Sequence, residues 1–270
     1  MIVAVDTGGT KTLVTLFSSE GVAGKMIRFP TPKTKTDYLD MLRKTLRDNY
    51  GGQRVEAIVI GMPGIVQDNI VVWCNSLKWK NFDIVSELKG VLGSAPIFIE
   101  NDANLGGLSE TRSQAPVPTS SLYVTISTGI GTGITTNGKI DPGLRLSEGG
   151  RMLVEYEGEI REWESFASGR AIVKTYDRYA RDIKDKKTWD EIADRISRGL
   201  LAAIPLLQTE VIIFGGSIGT YFSHYSNRLE DILQKHLPAH IPCPALLEAK
   251  HPEEAVIYGC YYYAVDTLDN

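Results

Sequence analysis

One short pattern occurs twice in this chain, and it constrains the fold more than any other feature. Near the start, the apolar run Ile2 to Val5 ends in Asp6-Thr7-Gly8-Gly9-Thr10, and the β-branched run Thr12 to Phe17 follows. Near the middle, Leu122 to Ile126 ends in Ser127-Thr128-Gly129-Ile130-Gly131-Thr132, and a hairpin follows with Asn137-Gly138 at its tip. An Asn-Gly pair between β-type residues is a strong hairpin signal. Each half thus opens as strand, Thr/Gly turn, strand, and then alternates helix and strand. The pattern predicts a duplicated α/β architecture with two domains around a cleft.

The remaining elements fit that frame. Leu39, Leu42, Leu46 and Tyr50 recur at helical spacing. Ala57 to Ile60 reads as a strand, Asp83 to Leu92 as a helix capped by Asp83, Ile97 to Ile99 as a strand, and Ala103 to Arg112 as a helix. Thr188 with Glu191 matches a capping box ahead of a long helix through Ile204. Val211 to Phe214 reads as a strand ending in Gly215-Gly216, and a last helix starts near Glu253. The proline-broken stretch Ser113 to Ser120 is the predicted boundary. It separates a domain over 1–115, joined by the C-terminal helix 253–270, from a domain over 116–252.

The chain has 270 residues, enough to bury a core without metal or disulfide staples. Lys and Arg number 29 against 33 Asp and Glu, so the net charge is −4 and no basic face for nucleic acid is required. Cys74, Cys243 and Cys260 stand far apart with no C-x-x-C pair, which fits a reducing compartment. The N-terminus lacks a leader pattern, and no apolar run approaches the ~20 residues of a bilayer span. The expectation is a cytoplasmic protein with no membrane partner.

Glycine lets backbone N–H groups approach a ligand, and threonine adds a hydroxyl, so two such turns can cradle phosphate oxygens. Gly8, Gly9, Thr10 and Lys11 form the first candidate site; Thr128, Gly129, Gly131, Thr132 and Gly133 form the second. Ordinary hairpin turns are the alternative. A P-loop is absent, and Gly129 to Gly133 lacks the helix that a dinucleotide fingerprint needs. Asp6 could hold Mg²⁺ through water or merely stabilise its turn. In Glu100-Asn101-Asp102-Ala103-Asn104, where a strand meets a helix, Asp102 could take a proton from a hydroxyl substrate oriented by Asn101, or serve only as a helix cap. Glu148 and Glu164 sit among glycines and aromatics, where carboxylates can accept from sugar hydroxyls; surface glutamates are the bland alternative.

Val5 to Thr12 closely resembles the opening phosphate motif of the ROK sugar kinases, and Glu100 to Asn104 their E-N-D-A-N motif. Thr128 to Gly133 is similar to the family's second phosphate loop, and Phe214-Gly215-Gly216-Ser217 to its adenosine-contacting glycines. Gly61-Met62-Pro63-Gly64 and Asn75 to Trp79 fall in family-like order. The resemblance implies a duplicated actin-like ATPase (ribonuclease H-like) fold. It also implies phosphoryl transfer from ATP or polyphosphate, with Mg²⁺, to a hexose hydroxyl, glucose first, with N-acetylmannosamine or fructose as alternatives. By the same carry-over Asp102 is the general base. Gly64, Asn75, Asn101, Glu148 and Glu164 line the sugar site, and Gly215, Gly216 and Ser217 meet the nucleotide. Many members hold zinc through a histidine and cysteines. Here the histidine position is Arg151, and no cysteine lies between Glu148 and Glu164, so no zinc site is expected and Arg151 becomes a candidate sugar contact. Homodimers are common in the family. Its repressors carry a preceding DNA-binding domain, for which the start of the motif at Asp6 is expected to leave no room. A catalytically silent sugar or nucleotide sensor is the non-enzymatic alternative.

Overall fold

The structure, a computed structural model, describes residues 1–269. It falls into two compact units, residues 1–109 with 254–269 and residues 110–253. The first unit opens with β1 (Ile2–Thr7), β2 (Lys11–Phe17) and β3 (Ile27–Pro30), followed by α1 (Lys35–Tyr50) and β4 (Ala57–Met62). Three short strands come next, β5 (Ile65–Gln67), β6 (Ile70–Cys74) and β7 (Trp79–Phe82), then α2 (Ile84–Leu88), β8 (Ile97–Asn101) and α3 (Asp102–Arg112).

The main sheet runs β3-β2-β1-β4-β8. β1 pairs antiparallel with β2 and parallel with β4, which in turn pairs parallel with β8. β1 and β4 are continuous apolar runs because both of their faces are covered. Val3, Val5, Ile58 and Ile60 pack on the face shared with Leu39, Leu42 and Leu46 of α1. Ile2, Ala4, Ala57 and Val59 pack on the other face. Thr34 caps α1 by accepting the Asp37 amide at 3.1 Å. β5, β6 and β7 form a separate antiparallel sheet that the sequence pattern does not announce.

The second unit repeats the plan. It contains β9 (Ser120–Ile126), β10 (Ile130–Thr136), β11 (Lys139–Ile140), β12 (Leu153–Tyr156) and β13 (Glu159–Glu162). Helices α4 (Glu164–Ala167), α5 (Gly169–Tyr176) and α6 (Lys186–Leu207) follow, then β14 (Val211–Gly215), α7 (Gly216–Gly219), α8 (Phe222–His236) and β15 (Ala245–Glu248). Its sheet order is β11-β10-β9-β14-β15. β9 is antiparallel to β10 and parallel to β14, which is parallel to β15, the same pairing senses as in the first unit. Leu122, Val124, Ile126, Ile212 and Phe214 meet the buried faces of α6 and α8. The chain then returns to the first unit as α9 (Ala255–Leu268), whose Ile257, Cys260 and Ala264 cover the sheet face of Ile2 and Ala4.

Two local expectations change. The α6 cap is Asp185, whose Oδ1 accepts both the amide and the hydroxyl of Thr188, at 2.9 and 2.7 Å; Thr188 therefore lies inside the first turn. Helix α2 stops at Leu88 because the chain next takes left-handed conformations at Gly90 and Gly93, φ +79° and +68°. Among the described residues no helix is long and apolar enough to cross a membrane.

Candidate functional site

β1, β4 and β8 run parallel and end together, so the residues following them share one edge of the first sheet. Asp6 and the first Thr/Gly turn leave β1. Thr7 and Thr12 close the hairpin, and the Gly8 amide donates to the Lys11 carbonyl at 2.9 Å. The remaining turn carbonyls are tied from one side. Thr31 Oγ1 donates to Gly8 O at 2.8 Å, Lys33 Nζ to Gly9 O at 2.8 Å, and the Thr31 amide to Thr10 O at 3.0 Å. Among the described residues the Gly9 and Thr10 amides carry no protein bond, so the turn offers donors. Donors with their carbonyls pinned away suit an anion.

Asp6 is half-buried, and burial pushes its carboxyl up to about 6, with Lys11 pulling it down. Beside it the buried Thr7 hydroxyl meets the Tyr38 hydroxyl at 2.6 Å, fixing the strand end on α1. Among the described residues no group of three or more His, Cys, Asp or Glu is placed to hold a metal ion. A single under-compensated carboxylate next to anion-binding donors fits Mg²⁺, which keeps most of its water.

Gly64 follows β4 with φ +91°, and a Cβ there would run into the Trp73 carbonyl. Only glycine lets this turn lie against the end of β6. Gly64 O accepts Asn101 Nδ2 at 2.8 Å, while Asn101 Oδ1 accepts the Asn104 amide at 3.0 Å. The cap of α3 is therefore Asn101. Asp102 Oδ1 accepts the neighbouring Ala103 amide at 2.8 Å. Buried Glu100 fixes the segment by accepting the Asn101 amide at 2.7 Å and Asn104 Nδ2 at 3.0 Å. Asp102 is near enough to Cys74 to help raise that thiol's pKa, after burial as the main cause. Asn75 is exposed and accepts Lys78 Nζ at 2.8 Å. A Cβ on Gly9 would lie 3.2 Å from Ser76 Cβ, so the first turn, Asn75-Ser76, Gly64 and Asn101-Asp102 gather in one place.

In the second unit, the second turn leaves β9 and Gly215-Gly216 leaves its parallel neighbour β14. Gly216 has φ +76°, and a Cβ would meet Ser127 Oγ, Ile126 O and Thr125 Oγ1 at 2.6–2.7 Å. This approach lets the Ser217 amide donate to Ser127 Oγ at 3.0 Å. Thr128 is exposed at the tip. Gly131, Thr132 and Gly133 lie within β10, and Thr132 Oγ1 accepts the Gly149 amide at 3.0 Å. Glu164 Oε2 accepts the Ile130 amide at 3.2 Å. Arg151 Nη1 lies 2.6 Å from Glu162 and 3.2 Å from Glu164. Desolvation pushes the Glu148 carboxyl up although the residue is largely exposed; Arg151 pulls it down and Glu164 adds an upward push.

Among the supporting residues, Thr31, Lys33 and Glu162 lie outside every sequence motif, whereas Ser127 opens the second Thr/Gly pattern and Ser76 lies within Asn75 to Trp79. The signal for Glu162 is its place two residues before Glu164.

An N-acetylmannosamine kinase from Salmonella typhimurium is 26% identical to this chain, with 98% of this chain and 99% of that one covered. A glucokinase from Streptomyces coelicolor is 27% identical, covering 64% of this chain and 58% of its own. The crystal structure of a ROK family glucokinase from Streptomyces griseus, in complex with glucose and AMPPNP, superposes with a TM-score of 0.83. It is 22% identical, over 98% of this chain and 99% of that one, and the likeness shows the same duplicated actin-like fold. The model of the ROK family matches residues 2–267, and the chain belongs to that family, the one that includes these sugar kinases.

Proposed function

We propose that this protein is a sugar kinase that transfers a phosphoryl group from ATP to the 6-hydroxyl of glucose. The observation that carries the reading is the division of labour at β8–α3: Asn101 caps the helix and holds the Gly64 carbonyl, and Asp102, relieved of capping, lies close to Cys74 next to the Asn75-Ser76 segment that meets the first Thr/Gly turn. Phosphoryl transfer requires positioning and charge stabilisation more than covalent chemistry. Asp102 aligns the sugar hydroxyl and takes its proton. Asn101, Gly64, Asn75, Glu148 and Glu164 bind the other hydroxyls. The Gly9 and Thr10 amides and the second turn at Thr128-Gly129 receive donor phosphates, and Gly215 to Ser217 meet the nucleotide. Asp6 would hold Mg²⁺, which when bound neutralises phosphate charge.

A second acceptor, N-acetylmannosamine, is favoured by the relative that matches over nearly its whole length. The experiment is a matrix of glucose, N-acetylmannosamine and fructose against ATP and polyphosphate, with sugar phosphate as the readout. Glucose phosphate from ATP is the expected product. Transfer to N-acetylmannosamine alone moves the assignment to that sugar, and sugar binding without turnover from either donor makes the protein a sensor.

A further inference from the structure

Arg151 closes the short 3-10 turn Gly149–Arg151, and its side chain runs back to two glutamates from different elements. Nη1 donates to Glu162 Oε2 on β13 at 2.6 Å and faces Glu164 Oε1 on α4 at 3.2 Å. The other Glu164 oxygen accepts the Ile130 amide at 3.2 Å, just past the second Thr/Gly turn. Both oxygens of Glu164 are thus engaged, one by the guanidinium and one by the strand leaving that turn. The 3-10 turn is itself fastened to β10 through the Gly149 amide and Thr132 Oγ1. Helix α4 is fixed from beneath: Trp163 is wholly buried and donates to the Arg195 carbonyl at 3.3 Å, and Phe166 stacks on Tyr156 at 4.2 Å between centroids.

We propose that Arg151 is a positioning residue rather than a sugar contact: its guanidinium orients Glu164 against the second Thr/Gly turn and balances the charge of Glu148 and Glu164, so that both accept hydrogen bonds from the sugar. The inference rests on the sugar-kinase reading above and deepens it.

Two carboxylates facing one neutral ligand repel each other, and protonating either one removes acceptors. The charged groups in play face one another from the 3-10 turn, β13 and α4. Desolvation raises the Glu148 carboxyl, Arg151 lowers it, and Glu164 raises it. Around Arg151, burial disfavours the charge, but Glu162, Glu164 and Glu148 outweigh it and hold the guanidinium protonated. Glu162 therefore competes with the two sugar-facing glutamates for one cation. Removing Arg151 and removing Glu162 should move the ionisation of Glu148 in opposite directions. A purely structural brace would make both removals act in the same direction.

The test measures sugar KM, kcat and donor-free sugar affinity by calorimetry between pH 5 and 8, on the full chain and the variants Arg151→Met, Arg151→Lys and Glu162→Gln. Arg151→Met should raise sugar KM about tenfold near pH 6, change kcat less, and shift the acid limb of sugar affinity to higher pH. Arg151→Lys should restore part of the loss. Glu162→Gln should shift the acid limb to lower pH. Shifts in the same direction, or no shift in either variant, would overturn the proposal. Should Arg151→Met fail to fold, Glu162→Gln decides alone: a downward shift supports the proposal, and an upward shift or none overturns it. Failure of the parent reading is seen separately, as wild-type protein that binds sugar without turnover. Wild-type protein that binds no sugar overturns both.

Discussion

A carboxylate at the half-buried end of a strand is an electrostatic liability unless a cation answers it, and Asp6 is such a group. Its pKa stands at about 6, raised by burial, with Lys11 offsetting only part of the effect. The unfolded chain ionises this aspartate near the ordinary value, about 4. Below that pH the group is protonated in both states and costs nothing. As pH rises from about 4 to about 6, the unfolded state loses its proton first and stability falls; above about 6 the penalty is complete. Asp6→Asn should therefore stabilise the protein by about 1–2 kcal/mol at pH 7–8, a figure discounted for the water the carboxyl still meets. The gain should vanish below pH 4, while phosphoryl transfer is lost. Thermal melts across that range check it, and a gain independent of pH would contradict the assignment. Asp6 and Asp102 are both visible as candidates because a strand end followed by a turn or helix is legible in sequence. Thr31 and Lys33 are not, because their role is to hold carbonyls of the first turn that are distant in sequence.

At the level of elements, the Thr/Gly turns take their shape from what lies against them. Gly216 brings α7 against Ser127, and a side chain there meets both a left-handed φ and three atoms at 2.6–2.7 Å. Gly93 has a similar φ, +68°, but a Cβ at that position would have nothing within 4 Å. Gly93→Ala should cost about 1 kcal/mol, the backbone share alone. Gly216→Ala should cost about 2–4 kcal/mol by adding overpacking, and it should also raise KM for ATP. Chemical denaturation of the two variants separates these contributions, and equal losses would show that close approach is unimportant. The strands of the two main sheets are readable from apolar runs and hairpin signals except β15, a four-residue edge strand with no such signal. The β5–β7 sheet is not, because its strands are short and Val72 and Trp73 lie exposed, which breaks the alternation. The start of α6 is ambiguous for a related reason: Asp185 and Thr188 are both capping residues, and only the Asp185 Oδ1 geometry distinguishes them.

For the whole molecule, the repeat seen in the sequence becomes two sheets with the same strand order and the same pairing senses. That correspondence is legible because each copy begins with an apolar strand, a Thr/Gly turn and a returning strand. The sugar itself is not, since no spacing rule supplies the geometry of Glu148 and Glu164, the carboxylates that the proposed reading sets around it. The proposed reaction turns on one proton acceptor. The measurement that tests this most directly compares wild type with Asp102→Asn for sugar phosphate formed from ATP, alongside sugar affinity and melting temperature. The expected result is a loss of ~10²–10⁴ in turnover, with affinity and stability nearly unchanged. A variant that phosphorylates the sugar at near wild-type rate would contradict the assignment of Asp102 as the base.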